Sequence, residues 1–194
     1  MQPTTIIPPK SRELAFARSL MPADQGRTFT VTETHANGLT QDIVQAVVDQ
    51  FRRSWRDTAR LAPHFQVRDK CNGCTAGVQL AHETTLRAVW AFARHQITYV
   101  LDHPPGTQWI KTPRTVIMTG FADCKGLSTL VNSLLANLGY KPYFKFVAYV
   151  PGGLVTHVYT FVEAGGKRYV LDACMHDFNI EKNYSGEQLV PALA

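Results

Sequence analysis

Cys124, His157 and Asp172 follow one another along the chain in the order nucleophile, base and orienting carboxylate. A thiol, an imidazole and a carboxylate that meet in space perform acyl transfer: the sulfur attacks a carbonyl, the imidazole moves the proton, and the carboxylate holds the imidazole. A free thiol titrates near ~8.5, and a helix N-terminus or a neighbouring imidazolium lowers that to roughly 3.5 to 7.5. Cys124 stands at the front of a strongly periodic apolar segment, so it is expected in the first turn of a helix. The unpaired amides of that turn would also face a developing oxyanion.

The elements that must position these three groups are legible in pattern. Leu127, Leu130, Val131, Leu134, Leu135 and Leu138 form one apolar stripe, with Asp123 as the expected N-cap and Gly139 suited to the C-terminal cap. Strand-like runs follow over Tyr143 to Val150, Val155 to Val162 and Lys167 to Asp172, separated by Pro151-Gly152-Gly153 and Gly165-Gly166. An antiparallel meander is the expected topology. Its last hairpin decides whether His157 meets Asp172. A turn centred between Ala164 and Gly165 makes them direct partners, one centred on Gly165-Gly166 makes them diagonal neighbours on the same face, and a three-residue loop centred on Gly165 puts them on opposite faces.

Upstream, Ile43, Val44, Val47, Val48, Phe51 and Trp55 recur at helical spacing behind Thr40, the expected N-cap. Leu86, Val89, Trp90, Ala93 and Ile97 mark another helix running toward Tyr99, whose aromatics are expected in the core. Residues 1–39, with their prolines and the turn pair Asn37-Gly38, are expected as an irregular arm packed on the domain or on a partner; residues 40–194 are expected as a single domain.

The chain has 194 residues, is 45% hydrophobic and carries a formal charge of +5. Arg52, Arg53, Arg56 and Arg60 are expected on the solvated face of a helix, and no aromatic stripe interleaves with basic residues, so nucleic acid is not an expected partner. Without a long apolar run, neither a membrane span nor a signal peptide is expected; the cytoplasm is the expected compartment, where a catalytic thiol stays reduced. Cys71-Asn72-Gly73-Cys74 has the spacing of half a zinc knuckle, with His64, His82, Cys174 and His176 as the only further ligands at hand. A loop with two incidental thiols is the expected reading, with no metal and no cofactor. Cys174 and His176 are expected to line the pocket beside Asp172, His176 being the reserve base.

The run from Phe121 to Leu130, with Cys124 inside it, followed by Leu134-Leu135 and Leu138-Gly139-Tyr140, resembles the cysteine motif of the transglutaminase-like superfamily in its bacterial form. His157-Val158-Tyr159 and Tyr169-Val170-Leu171-Asp172-Ala173 resemble its histidine and aspartate motifs, and the likeness spans roughly residues 80 to 175. Ala122 departs from the pattern, which often has glycine there. The resemblance implies a papain-like α+β fold, with helices packed on a small antiparallel sheet, and Cys124 as nucleophile, His157 as base and Asp172 as orienter. It also implies a second oxyanion donor upstream, for which Trp109 and Gln108 are the candidates. Active relatives share a thioester intermediate resolved by water or by an amine. Small bacterial members look more like hydrolases, so the expected activity is that of a peptidase or amidase acting on a peptide or protein substrate. The alternative expectation is a structural module that keeps the fold without the chemistry, such as a component of a phage particle or secretion assembly contacting its partner through the N-terminal arm.

Overall fold

The structure, a computed structural model, describes residues 12–24, 29–33, 39–70, 78–103 and 107–193. Asn37-Gly38 and the Cys71 to Cys74 pair lie outside the described residues. In chain order the elements are α1 (Arg12–Ser19), β1 (Phe29–Glu33), α2 (Gln41–Ser54), two short 3-10 turns (Trp55–Thr58 and Ala62–Phe65), β2 (Arg68–Lys70), β3 (Val78–Leu80), α3 (His82–Gln96), β4 (Thr98–Tyr99), β5 (Thr107–Lys111), α4 (Pro113–Thr119), β6 (Phe121–Ala122), α5 (Cys124–Asn137), β7 (Tyr143–Ala148), β8 (His157–Ala164), β9 (Lys167–Leu171) and β10 (Gly186–Pro191). The architecture is α+β.

The central element is α5. Every residue from Cys124 to Leu135 is buried, because the apolar stripe packs into the main core with α3 and α4 while the opposite side faces α2, the first 3-10 turn and the sheet. Its polar positions are therefore enclosed and must find partners. Ser128 Oγ donates to the carbonyls of Cys124 and Val158, at 2.7 and 2.9 Å, and Ser133 Oγ donates to the Trp55 carbonyl at 2.7 Å. The Ser128 bridge clamps the cysteine end of α5 onto the strand that starts with His157. Gly139 at φ 85° ends the helix as expected, with its N–H on the Ala136 carbonyl.

The meander is present as expected, with one addition. The sheet order is β10-β7-β8-β9, all antiparallel, so an edge strand from the C-terminal segment adds itself to β7. Ala164 pairs with Lys167, which centres the last turn on Gly165-Gly166, and both glycines have positive φ, 58° and 73°, as a type I′ hairpin requires. Asp172 thus lies just past β9 and His157 opens β8, two rungs apart on one face. Of the three registers, this is the diagonal one.

Thr40 precedes α2 in extended conformation but makes no side-chain capping bond. Arg52, Arg53, Arg56 and Arg60 are all exposed, as a solvated face requires. The lead-in is less irregular than expected. It contains α1, which buries Leu14 and Ala17 and is tied to α4 by Arg18 Nε donating to the Ile117 carbonyl at 3.1 Å, and β1, which pairs with β5. The described part of residues 1–39 therefore packs on the domain.

Gly126 shows why small residues flank the cysteine. A Cβ built there would stand 2.7 Å from the Ala122 Cβ and 3.3 Å from Val116 Cγ2. Ala122, the position that departs from the family pattern, is the group that makes the contact tight. Gly126→Ala is expected to destabilise the fold by about 1–3 kcal/mol in urea unfolding, and Ala122→Gly in the same chain to recover part of that loss.

Candidate active site

Asp123 stands in extended conformation before α5, and its Oδ1 accepts the Gly126 N–H at 3.1 Å. The cap orders the first turn and uses one of its free amides. The N–H groups of Cys124 and Lys125 have no acceptor within the helix, by the geometry of any helix start. Cys124 is 7% exposed, and its sulfur is close enough to the His157 ring to favour the ring's charged form.

His157 Nε2 lies 2.8 Å from Asp172 Oδ2, and the carboxylate is buried. Nε2 is thereby committed to Asp172, which leaves Nδ1 as the nitrogen for the sulfur. Asp172 is itself fixed from two sides: its Oδ1 accepts the Cys174 N–H at 2.9 Å, and its backbone carbonyl accepts Trp90 Nε1 at 2.9 Å. Burial opposes a charge on His157, but the hydrogen bonds to Asp172 and Cys124 and their negative charges outweigh it, raising the imidazole from 6.5 to about 10. The ring is thus an imidazolium at neutral pH. The three residues singled out in the sequence meet at the junction of α5, β8 and the end of β9.

A second charged cluster lies behind the thiol. Lys125 Nζ, buried, contacts Asp123 Oδ2 and stands 3.1 Å from Asp102 Oδ2. Burial works against its charge, while Asp123, Cys124 and Asp102 together hold it protonated beyond the ordinary lysine range. Burial likewise pushes the Asp123 carboxyl up against the pull of Lys125. Asp102 Oδ2 also accepts the Trp109 N–H at 2.7 Å, so the backbone amide of Trp109 already has an acceptor. Trp109 is joined to the residue after Cys124 through Asp102. Gln108 sits beside it on β5, half-buried and paired with Thr32. Of the reserve groups, His176 is turned to Arg94, with Nδ1 3.0 Å from the guanidinium, whereas Cys174 stays beside the site.

Two tyrosines flank the cysteine. Tyr99, expected in the core, is 43% exposed; burial of its hydroxyl and the negative charges of Cys124, Cys174, Asp123 and Asp172 push it well above the usual tyrosine range. Tyr149 stacks on His157 with ring centroids 6.2 Å apart, and burial followed by the charge of Asp172 pushes it up to about 12. Trp90, by contrast, is core as expected. Asp102, Lys125 and Tyr149 went unremarked in the sequence. Lys125 adjoins Cys124 and carried the one local signal, a charge inside an otherwise buried first turn.

A family model described as a transglutaminase-like domain matches residues 75–190, more than half of the chain. The chain belongs to the transglutaminase-like domain family. Among solved structures, it is similar to a provisionally assigned cysteine protease from Cytophaga hutchinsonii, at 13% identity and a TM-score of 0.46, over 75% of this chain and 48% of the other. It is also similar to a protein described as a TGase, at 15% identity and a TM-score of 0.37, over 75% of this chain and 36% of the other. The chain therefore spans about half or less of the length of these structures. Comparison with curated proteins finds no match. Among the described residues of this transglutaminase-like chain, no helix is long and apolar enough to cross a membrane.

Two expectations follow from the geometry. Because the His157 value is raised in the folded state, its contribution to stability is complete below 6.5 and is lost as pH rises through about 10. An imidazole NMR titration is expected to find His157 protonated until about 10, and a ring that deprotonates near 6.5 would contradict the assigned bonds. Lys125→Met leaves two buried carboxylates without their cation and is expected to cost about 3–5 kcal/mol in chemical denaturation.

Proposed function

We propose that this transglutaminase-like domain is a cysteine-dependent acyl-transfer enzyme, working as a peptidase or amidase on peptide or side-chain amides. The observation that carries this reading is the Cys124–His157–Asp172 constellation, in which a thiol in the first turn of a helix stands beside an imidazole held at 2.8 Å by a buried carboxylate. The positive end of α5 and the ammonium of Lys125 both favour negative charge on the sulfur.

In this reading the Cys124 thiolate adds to the amide carbon. Negative charge moves to the carbonyl oxygen, where the first-turn N–H groups of Cys124 and Lys125 are the nearest fixed donors. The C–N bond then breaks as His157 gives its Nδ1 proton to the leaving amine, leaving a thioester and a neutral ring. Water, giving its proton to that ring, attacks the thioester; the carboxylic acid departs and the thiolate–imidazolium pair is restored. An amine in place of water would give transfer by the same steps. Tyr99 and Tyr149, beside the cysteine, are the side chains an extended acyl chain would pass on its way to the sulfur. Asp172 holds Nε2, which fixes the ring for its work at Nδ1.

The test is labelling by iodoacetamide with mass mapping, followed by turnover on a library of fluorogenic peptide amides. Cys124 is expected to label faster than any other cysteine and to lose that rate advantage in His157→Ala. Cys124→Ala should abolish turnover, and Asp172→Asn should lower kcat by roughly 10⁴-fold with little change in KM. A Cys124 that labels no faster than Cys174 overturns the reading.

A further inference from the structure

Cys174 is a thiol the acyl-transfer mechanism does not use, although it stands against the residues that mechanism depends on. A ring nitrogen of His157, a carboxylate oxygen of Asp172 and the Sγ of Cys174 lie within 4.8 Å of one another. The first two are already in contact at 2.8 Å, Nε2 to Oδ2, and the Cys174 backbone N–H donates to the other oxygen of the same carboxylate at 2.9 Å. A ring nitrogen and a sulfur thus stand together at one carboxylate, and both are good ligands for a borderline-soft cation once deprotonated.

We propose that His157, Asp172 and Cys174 form a Zn²⁺ site whose occupation switches off the thiol chemistry of Cys124. Metal–ligand bonds of roughly 2.0 to 2.3 Å at tetrahedral angles separate the ligand atoms by about 3.3 to 3.8 Å, so the widest gap closes by only about 1 Å. The ligand set is one imidazole, one carboxylate and one thiolate, with the fourth position left to water, and its two negative charges neutralise the cation. The outer contacts are in place as well. The Cys174 N–H holds the second carboxylate oxygen, and Trp90 holds the Asp172 carbonyl.

Binding exchanges protons for metal. Zn²⁺ displaces the Sγ proton of Cys174 and the Nε2 proton of His157, and both leave to solvent, two per ion. The imidazole keeps its Nδ1 proton toward Cys124 but, bound to the metal, can neither give that proton up to a leaving amine nor return to the free base that activates water. This consequence rests on the proposed acyl-transfer role; the binding itself does not.

The test uses the full chain carrying Cys71→Ser and Cys74→Ser, titrated with Co²⁺ as a spectroscopic probe and then with Zn²⁺ in competition. One ion per chain is expected, with a sulfur-to-cobalt charge-transfer band in the near ultraviolet. The band should survive in Cys124→Ser and vanish in Cys174→Ser, and the latter should weaken Zn²⁺ binding by at least about a hundredfold, the upper end of what losing an outer partner costs. In the chain with all its cysteines, Zn²⁺ should slow maleimide modification of Cys174, mapped by mass spectrometry, by about tenfold or more, in proportion to occupancy. A band that persists without Cys174, a band that disappears with Cys124, the absence of any band, or unprotected Cys174 overturns the proposal. If Cys124 labels slowly in the metal-free chain, the acyl-transfer reading falls, while the cobalt titration still decides the site.

Discussion

The register of one hairpin governs how the candidate site is assembled. Two consecutive glycines at positive φ allow a two-residue turn, and that turn alone sets Ala164 opposite Lys167. Every later rung follows, so Asp172 arrives two rungs from His157 on the same face and within hydrogen-bonding distance. One residue more or less in the turn would carry the carboxylate to the other face of the sheet, because side chains alternate along a strand. Room above the turn is also limited, since a Cβ on Gly165 would stand 3.0 Å from the His82 ring. Backbone permissiveness at a site remote from the cysteine thus decides whether the imidazole is oriented at all.

Legibility in the sequence followed how local each signal was. The helix behind Cys124, its Asp123 cap and the three meander strands rest on short-range periodicity and side-chain-to-backbone bonding, and all were readable. The hairpin was readable only to a choice of three registers, because Ala164-Gly165-Gly166 permits more than one turn and cross-strand packing selects among them. The short elements were missed for a related reason. Helix α4 is seven residues long, and although Thr112 caps it, Pro113 opens it and Gly120 closes it with φ 80°, it has no room for a periodic stripe. Strand β10 alternates half-buried and exposed positions, none of them buried, and ends in Pro191, which suits an edge but looks like a loop in the sequence.

The site divides along the same line. Cys124, His157 and Asp172 were legible because each residue type is tied to a recognisable element boundary. Asp102 and Tyr149 were not, since each lies in a connecting segment whose place depends on the tertiary fold, and Asp102 acts on the cysteine only through Lys125 and Trp109. Tyr99 misled in the opposite direction. It continues the apolar pattern of α3 into β4, yet the parallel pairing of β4 with β6, through Val100 N–H on the Ala122 carbonyl at 3.0 Å, brings it out beside the thiol rather than into the core.

The charges around Cys124 explain why two separate clusters are needed. Cys124 and Asp172 are both buried on either side of the His157 ring, and burial alone would penalise negative charge on them. Asp123, required as the helix cap, adds another carboxylate behind the sulfur, and Asp102, required to hold the Trp109 strand, adds one more. Lys125 answers both of these at once and is near enough to feel Cys124 as well, while burial lowers the nearby Lys111 against the pull of Asp102 and Asp123. The helix N-terminus supplies the remaining positive potential. In the proposed reaction the nucleophile is therefore supported from both ends, by an imidazolium in front that moves its proton and by a lysine behind that keeps its own, so that stabilising charge would be retained when the ring becomes neutral.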